Sequence, residues 1–136
     1  MSMKHKLILL TTALAIAAAL TSCLNLDKEI ITDTVYRSNF ECPKDMGEGM
    51  IMNAVKLEGR YVVFYFNYNG VLYDSQEEDW ERTKTSAINY WHRCAQDDDG
   101  VKEFLLALKR ENVGIIHNFT DDSGNVFKIV IKAKEL

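Results

Sequence analysis

Alternating apolar and polar positions are clearest in the segment YVVFYFNYN, which runs from Tyr61 to Asn69. Successive side chains of an extended strand point to opposite faces, so the even and odd positions separate. The even positions are predicted to face a core, and they are Val62, Phe64, Phe66 and Tyr68. The odd face is amphipathic, since Tyr61 and Tyr65 can lie on a sheet while their hydroxyl groups stay in water.

Three further runs have strand character. GMIMNAVKLEG precedes the aromatic run, and the polar pair Glu58-Gly59 between them predicts a hairpin. Near the C-terminus, VGIIHNFT, DDSGN and VFKIVIKAK read as strand, turn and strand. In the last strand, an apolar set alternates with a set rich in lysine, and the two are Phe127, Ile129, Ile131, Ala133 against Val126, Lys128, Val130, Lys132, Lys134.

Helical spacing fills the middle of the chain. Ser75 and Glu78 form a capping box that opens a helix through about Gln96. A second helix is predicted from Val101 to about Glu111, with Asn112 as its C-cap. The order ββααββ predicts an α+β fold, in which a four-stranded, mainly antiparallel sheet carries both helices on one face.

The side chain of His117 depends on the register of the last hairpin. A five-residue turn, Asp121 to Asn125, would pair His117 with Ile129 and direct it toward the helices. A loop of two or four residues would send it to the open face beside the lysines. The sequence leaves both alternatives open.

The N-terminus carries a secretory pattern. Lys4 and Lys6 precede Leu7 to Leu20, an uninterrupted stretch of 14 apolar and small residues, and Thr21 and Ser22 follow. A membrane-spanning helix needs about 20 apolar residues, so this stretch is too short to remain as a span. Residues 1–22 are therefore predicted to be a cleaved signal peptide.

The junction LTSC, which ends at Cys23, resembles the lipobox of bacterial lipoproteins. The resemblance implies that Cys23 is lipidated and becomes the first residue of the mature chain, as a membrane anchor. Leu24 then implies outer-membrane placement, in either the periplasmic or the surface-exposed leaflet. We interpret residues 23–40 as a lipidated, mostly flexible tether and residues 41–136 as one α+β domain.

Charge and cysteine content bear on the possible ligands and on disulfide formation. The whole chain has a net charge of -4, and removal of residues 1–22, with two lysines and no acidic residue, leaves 14 basic and 20 acidic residues, or -6. No basic run appears, which argues against binding to nucleic acid. Cys42 and Cys94 either form a disulfide in the oxidising envelope or stay separate as two buried thiols.

The residues with catalytic or metal-binding potential form no recognisable motif. Cys94 would need His92 or His117 as its base, but His92 is two positions away on a helix and points elsewhere. DDDG, residues 97–100, fails as an EF-hand loop because Ala95 and Leu106 would occupy ligand positions. A zinc site formed by His92, Cys94 and His117 would lack a fourth ligand. We expect no catalytic residue, no metal and no cofactor.

The open face of the sheet is the surface with binding potential. Its candidate residues combine aromatic area with amide and cationic donors, and they are Tyr61, Tyr65, Asn67, Lys128 and Lys132. Such a set suits a sugar, an acidic group or the edge of a protein. The alternative is an ordinary solvent-facing sheet in which aliphatic stems cover the tyrosines.

The predicted function is a lipid-anchored accessory or binding module of the cell envelope without catalytic activity. Its partners are the membrane, through the anchor, and an envelope protein or a glycan. The mature part resembles small α+β lipoproteins of unknown function through Cys42-Pro43, the aromatic strand and the ending DDSGNVFKIVIKAKEL. Two alternatives remain: a small envelope hydrolase, and an inhibitor or assembly factor that acts on a protein partner.

Overall fold

The computed structural model describes residues 26–71 and 77–136, with the side chains of residues 77–79 left aside. Three helices and five strands make up this part of the chain, and a short 3₁₀ helix, Ala133–Glu135, follows the last strand. In chain order they are α1 (residues 26–40), β1 (Lys44–Gly47), β2 (Met50–Glu58), β3 (Tyr61–Tyr68), α2 (Glu77–Asp97), α3 (Asp99–Arg110), β4 (Gly114–Asp121) and β5 (Val126–Ile131).

The strands form one mixed sheet in the order β1-β2-β3-β4-β5. All neighbouring pairs are antiparallel except β3 and β4, which run parallel. Two helices separate β3 from β4, and such a long crossover returns the chain to the end of the sheet from which β3 started. The α+β class and the mainly antiparallel sheet are thus confirmed, while the predicted strand number is wrong.

The hydrophobic core lies between the sheet and the helices. Ile31 of α1, Leu108 of α3 and the even positions Val62 and Phe64 of β3 are almost fully buried in one cluster. Trp91 of α2 packs against the same cluster. All three described helices therefore cover one face of the sheet, where the sequence predicted two.

The segment predicted to be a flexible tether is helical over residues 26–40, so that prediction is wrong for this stretch. Ile31 is 3% exposed and Asp27, also on α1, is 8% exposed. The Asp27 carboxylate accepts a hydrogen bond from Arg110 Nη1 at 3.3 Å, at the end of α3. Packing against the core, more than helix propensity, stabilises an amphipathic helix such as α1.

The remaining predicted elements match with small shifts. Glu58 pairs with Tyr61 across a two-residue turn, as the hairpin prediction required. The first predicted helix ends at Asp97, and its proposed capping box at Ser75 lies outside the described residues. α3 ends at Arg110 with Glu111 as its C-cap, so the predicted cap at Asn112 is displaced by one residue; Asn112 follows it with a left-handed φ of 53°.

Candidate functional site

A groove opens on the helical side of the molecule, between α1 and the junction of α2 with α3. It encloses about 420 Å³. Its deepest residues are aromatic: Phe64 and Phe104 are 7% and 3% exposed, and Trp91 packs beside them. The complete lining is Thr34, Arg37, Ser38, Glu41, Phe64, Trp91, Asp98, Gly100, Val101 and Phe104. We call this feature the α1 groove.

One side of α1 supplies a polar wall of the α1 groove. Thr34, Arg37, Ser38 and Glu41 recur at helical spacing, so their side chains project from the same side of the helix. The opposite wall is held in place by Asp98, whose Oδ1 accepts hydrogen bonds from the N–H groups of Gly100 at 2.8 Å and Val101 at 3.3 Å. An apolar base with charges of both signs along its walls can hold apolar side chains and pair with polar groups around them.

An aromatic cluster behind the groove contains His117. The indole Nε1 of Trp91 donates a hydrogen bond to His117 Nε2 at 3.1 Å. The rings of Phe64, Phe66 and Phe119 also lie within 5.7–6.2 Å of the imidazole ring. His117 pairs with Ile129, so the five-residue turn and the helix-facing alternative are the ones realised.

Burial lowers the pKa of His117 from its usual value of 6.5 to about 4. The neutral imidazole accepts from an indole N–H and is surrounded by phenyl rings, and among the described side chains no carboxylate is bonded to it. A general base needs a poised pKa and access to a reacting proton. His117 therefore has the contacts of a structural residue.

Acid is expected to destabilise the protein through His117. Below about pH 6.5 the unfolded chain binds a proton on this residue that the folded protein excludes until about pH 4. Stability consequently falls as the pH decreases through this window, and the full depression is worth about 3 kcal/mol. Urea unfolding at a series of pH values would measure the slope.

The variant His117→Phe provides the control for this slope. It keeps a ring in the cluster and removes the titrating group, so its stability should depend less on pH between 4 and 6.5 than that of the parent protein. Equal slopes for the two proteins would show that His117 is not the group that senses acid.

The two cysteines of the described residues are free. Cys42 Sγ donates a hydrogen bond to the carbonyl of Ser38 at 3.2 Å, and burial raises the pKa of its thiol. Cys94 lies on α2, one helical turn after Tyr90, and its thiol raises the pKa of the Tyr90 hydroxyl group. Both side chains are half-buried in the described structure. Among the described residues, no three side chains of His, Cys, Asp or Glu are grouped closely enough to hold a metal.

The five residues predicted as a binding face lie in three separate places. Tyr65 lies in a row with Asn118 and Lys128, because β4 separates β3 from β5. Tyr61 and Lys132 line a second cavity at the end of the sheet where β3 begins. Asn67 is exposed near the other end of β3. The cavity lined by Tyr61 does not include Tyr65.

Tyr65 lies across the neighbouring strand β2. Its hydroxyl group donates to the two carboxylate oxygens of Glu58 at 2.7 and 2.8 Å, and this hydrogen bond raises the pKa of Tyr65. Lys56 Nζ lies 5.6 Å from the centre of its ring. The polar group that would contact a sugar is therefore already bonded to protein. Beside it, Asn118 Oδ1 is buried and has no hydrogen-bond partner within residues 26–71 and 77–136.

The α1 groove is not predicted from the sequence, because residues 23–40, which include most of its α1 wall, are assigned there to a flexible tether. Ile31 and Val35, one turn apart on α1, both contact the core, and this helical spacing of apolar residues was the available signal. The polar residues between them obscured it. The rest of the lining comes from β3, α2 and α3, which lie far apart in the sequence and meet only in the folded protein.

Comparison with known proteins places the fold beside two solved structures. No family model matches the chain, and no curated protein matches it. The type II secretion system pilotin AspS from Vibrio cholerae superposes with a TM-score of 0.55 at 13% identity, over 87% of this chain and 99% of that one. EpsS, a pilotin from the Vibrio vulnificus type 2 secretion system, gives 0.52 at 10% identity, over 80% and 93%.

None of the described helices is long and apolar enough to cross a membrane. At these identities the comparisons concern architecture alone. Over most of its length, the chain is similar in fold to these two pilotins.

Proposed function

We propose that this protein is a lipid-anchored, non-catalytic accessory module of the cell envelope that holds a segment of a protein partner in the α1 groove. The observation that carries the proposal is the groove itself, with an aromatic base reached from solvent between walls of mixed charge. The similarity in fold to two pilotins of type II secretion systems supports an assembly role over a metabolic one.

The anchor is the part of the proposal that rests on sequence. Cys23 ends an LTSC junction that resembles a lipobox, and α1 is already present at residue 26. Several acyl chains on Cys23, at about 0.8 kcal/mol per buried CH₂ group, would hold the domain on a membrane without help from its own surface. Leu24 supports the outer membrane as that location.

The outer side of α1 adds contact area next to the α1 groove. Tyr36 and Phe40, one helical turn apart, are 71% and 80% exposed. Large aromatic side chains dominate the energetics of protein interfaces, because they bury much area at a small cost in conformational entropy. A partner segment with apolar side chains, seated in the groove and extending over α1, would cover these rings.

A site-specific cross-linking experiment tests the partner site. A photoactivatable residue at position 37, on the groove wall, is expected to form one discrete adduct with an envelope protein in intact cells. The same residue at position 128, on the open face of the sheet, is the matched control and should form none. Mass spectrometry of the adduct identifies the partner and the segment that is bound.

A variant that fills the α1 groove tests whether the partner binds there. Thr34→Trp places an indole in the α1 groove, whereas Asp33→Trp places one on an exposed position of the same helix. Loss of one well-packed anchor residue costs enough to reduce binding about tenfold or more, so only the first variant should lose the adduct. Equal adducts from positions 37 and 128, or equal loss in both tryptophan variants, would contradict the groove as the binding site.

A further inference from the structure

The first described residues of α1 lie at one particular end of the molecule. Asp27 is bonded to Arg110, the last residue of α3. Lys28 lines a cavity of about 270 Å³ together with Gly59 in the β2-β3 turn and Val113 before β4. The chain therefore enters the fold at the end of the sheet where β3 and β4 begin, which we call the entry end.

Strand directions bring a second group of residues to the entry end. β3 and β4 start there and the antiparallel β5 finishes there, since Ile115 at the start of β4 pairs with Ile131. The ring of Tyr61 lies against Gly114, where a Cβ atom would come within 2.7 Å of it. Glycine at position 114 thus permits the close approach that forms the wall of a cavity.

This cavity, of about 270 Å³, has a cationic lining. Its residues are Arg60, Tyr61, Asn112, Gly114, Lys132, Ala133 and Lys134. Three of them are exposed cations and none is acidic. Arginine and lysine beside hydroxyl and amide groups are the side chains with which proteins bind phosphate. We call it the basic cavity.

The carboxylates nearest the basic cavity are each bonded to a neighbouring group. Glu135 Oε2 lies 2.8 Å from Lys84 Nζ, and its other oxygen accepts from the Lys132 N–H at 3.1 Å. Asp27 is bonded to Arg110, and Glu58 to the Tyr65 hydroxyl. Lys28 and Lys109 are further exposed cations at the same end, whereas Arg110 is paired with Asp27, and Glu29 and Glu111 are the other acidic residues there.

The opposite end of the molecule is acidic. Its turns and helix junction carry Asp45, Glu48, Asp97, Asp98, Asp99, Asp121 and Asp122. By the residues named, the entry end carries six cations and five carboxylates, whereas the opposite end carries seven carboxylates beside Lys44 and Lys102. An anionic surface would attract the entry end and repel the other.

We propose that the basic cavity binds the phosphate groups of anionic lipids in the membrane to which Cys23 is attached. This inference rests on the proposed anchor, because Cys23 is three residues before residue 26 and three residues span at most about 10 Å. The entry end is thus held within about one Debye length of the lipid headgroups, where its charges are felt. The domain stands on the membrane on its basic end, with the α1 groove directed away from it.

Amine labelling of the lipidated, full-length mature protein in vesicles tests this orientation. A membrane-impermeant amine reagent is applied in vesicles of phosphatidylcholine alone and in vesicles that also contain phosphatidylglycerol. Each basic residue near an anionic surface strengthens membrane association about fivefold. Labelling of Lys132 and Lys134 should therefore fall about fivefold or more in the anionic vesicles. Labelling of Lys44 and Lys102, near the opposite end, should not change, and high salt should restore the labelling of the first pair.

Two further experiments test whether the basic cavity is the group responsible for the protection, and whether a membrane surface or a free anion causes it. The double variant Lys132→Gln and Lys134→Gln should lose the anionic protection of Lys28, whereas the matched variant Lys44→Gln and Lys102→Gln should keep it. Neutral vesicles with added inorganic phosphate, at matched ionic strength, test a free anion. Protection of Lys132 there, equal to that given by phosphatidylglycerol, would overturn the assignment to a membrane surface.

The vesicle experiment also distinguishes failure of this inference from failure of the anchor. A protein that does not float with any vesicle lacks the anchor, and both proposals then fall. A protein that floats with both kinds of vesicle, yet shows equal labelling of Lys132 in each, keeps the anchor and overturns the inference about the basic cavity.

Discussion

Replacement of Phe64 by alanine is expected to lower the free energy of unfolding by about 3 to 5 kcal/mol, the usual cost of removing a buried phenyl ring. Phe64 is 7% exposed in the central part of the sheet. Its ring lies 5.4 Å from the ring of Trp91 and 5.8 Å from that of His117, so its loss would leave a cavity between β3 and α2. Chemical denaturation of parent and variant measures the difference.

Tyr65→Ala is the control, since the two residues are adjacent in β3 and point to opposite faces. Tyr65 is only partly buried and contacts Glu58 and Lys56 on the open side, so its loss should cost about 1 kcal/mol. Phe64→Ala should also weaken binding in the α1 groove, because the ring forms part of the groove base. Similar losses of stability in the two variants would mean that the aromatic strand does not separate a core face from a solvent face.

The strands with strict alternation could be predicted from the sequence. In β5, Ile129 and Ile131 are buried while Lys128 and Val130 are exposed, as the pattern required. The hairpin of β2 and β3 was equally readable. Both signals are local, because a strand with one buried face has apolar residues at alternate positions of its own sequence. Val63 is the exception, because a central strand also buries small apolar side chains on its open face.

Elements that depend on distant contacts could not be predicted in the same way. β1 has four exposed residues and exists through its pairing with β2. The parallel pairing of β3 with β4 follows from the path of two helices, and no residue of either strand encodes it. The α1 groove brings together α1, β3, α2 and α3, of which the sequence predicts the last three without indicating that their residues meet.

The last hairpin shows how a turn decides a site. Asp121, 6% exposed, accepts hydrogen bonds through Oδ1 from the N–H groups of Ser123 and Asn125, both at 2.9 Å. Its Oδ2 accepts from Asn125 Nδ2 at 3.0 Å. These bonds fix the five-residue loop, and the loop fixes the register that places His117 inside. The turn residues were visible in the sequence, but their hydrogen bonds, which select the register, were not.

Helix α1 connects the proposed anchor to the proposed partner site. It enters the fold beside the basic cavity, and Arg37 and Glu41 in its last turns reach the α1 groove. With a rise of 1.5 Å per residue, Arg37 lies about 16 Å along the helix from residue 26. A domain standing on its entry end would therefore present the groove away from the lipid surface, where a segment of another envelope protein could reach it.

Cys23→Ala is expected to remove the protein from the membrane fraction almost completely. The described surface contains no helix that could span a bilayer, and the basic cavity alone would give only weak, salt-sensitive adhesion. Acyl chains attached through a thioether supply far more binding energy than these charges, so their loss should dominate. Flotation of cell envelopes, together with intact-mass analysis of the purified protein, measures both membrane association and acylation.

Cys42→Ala is the matched variant, because it also removes one thiol but leaves the LTSC junction intact. It should float like the parent protein and carry the same acyl mass. Acylation that persists in Cys23→Ala would contradict the anchor assignment outright. Acylation lost without loss of flotation would show instead that the folded domain holds the membrane by its own surface, and the entry end would then be the region responsible.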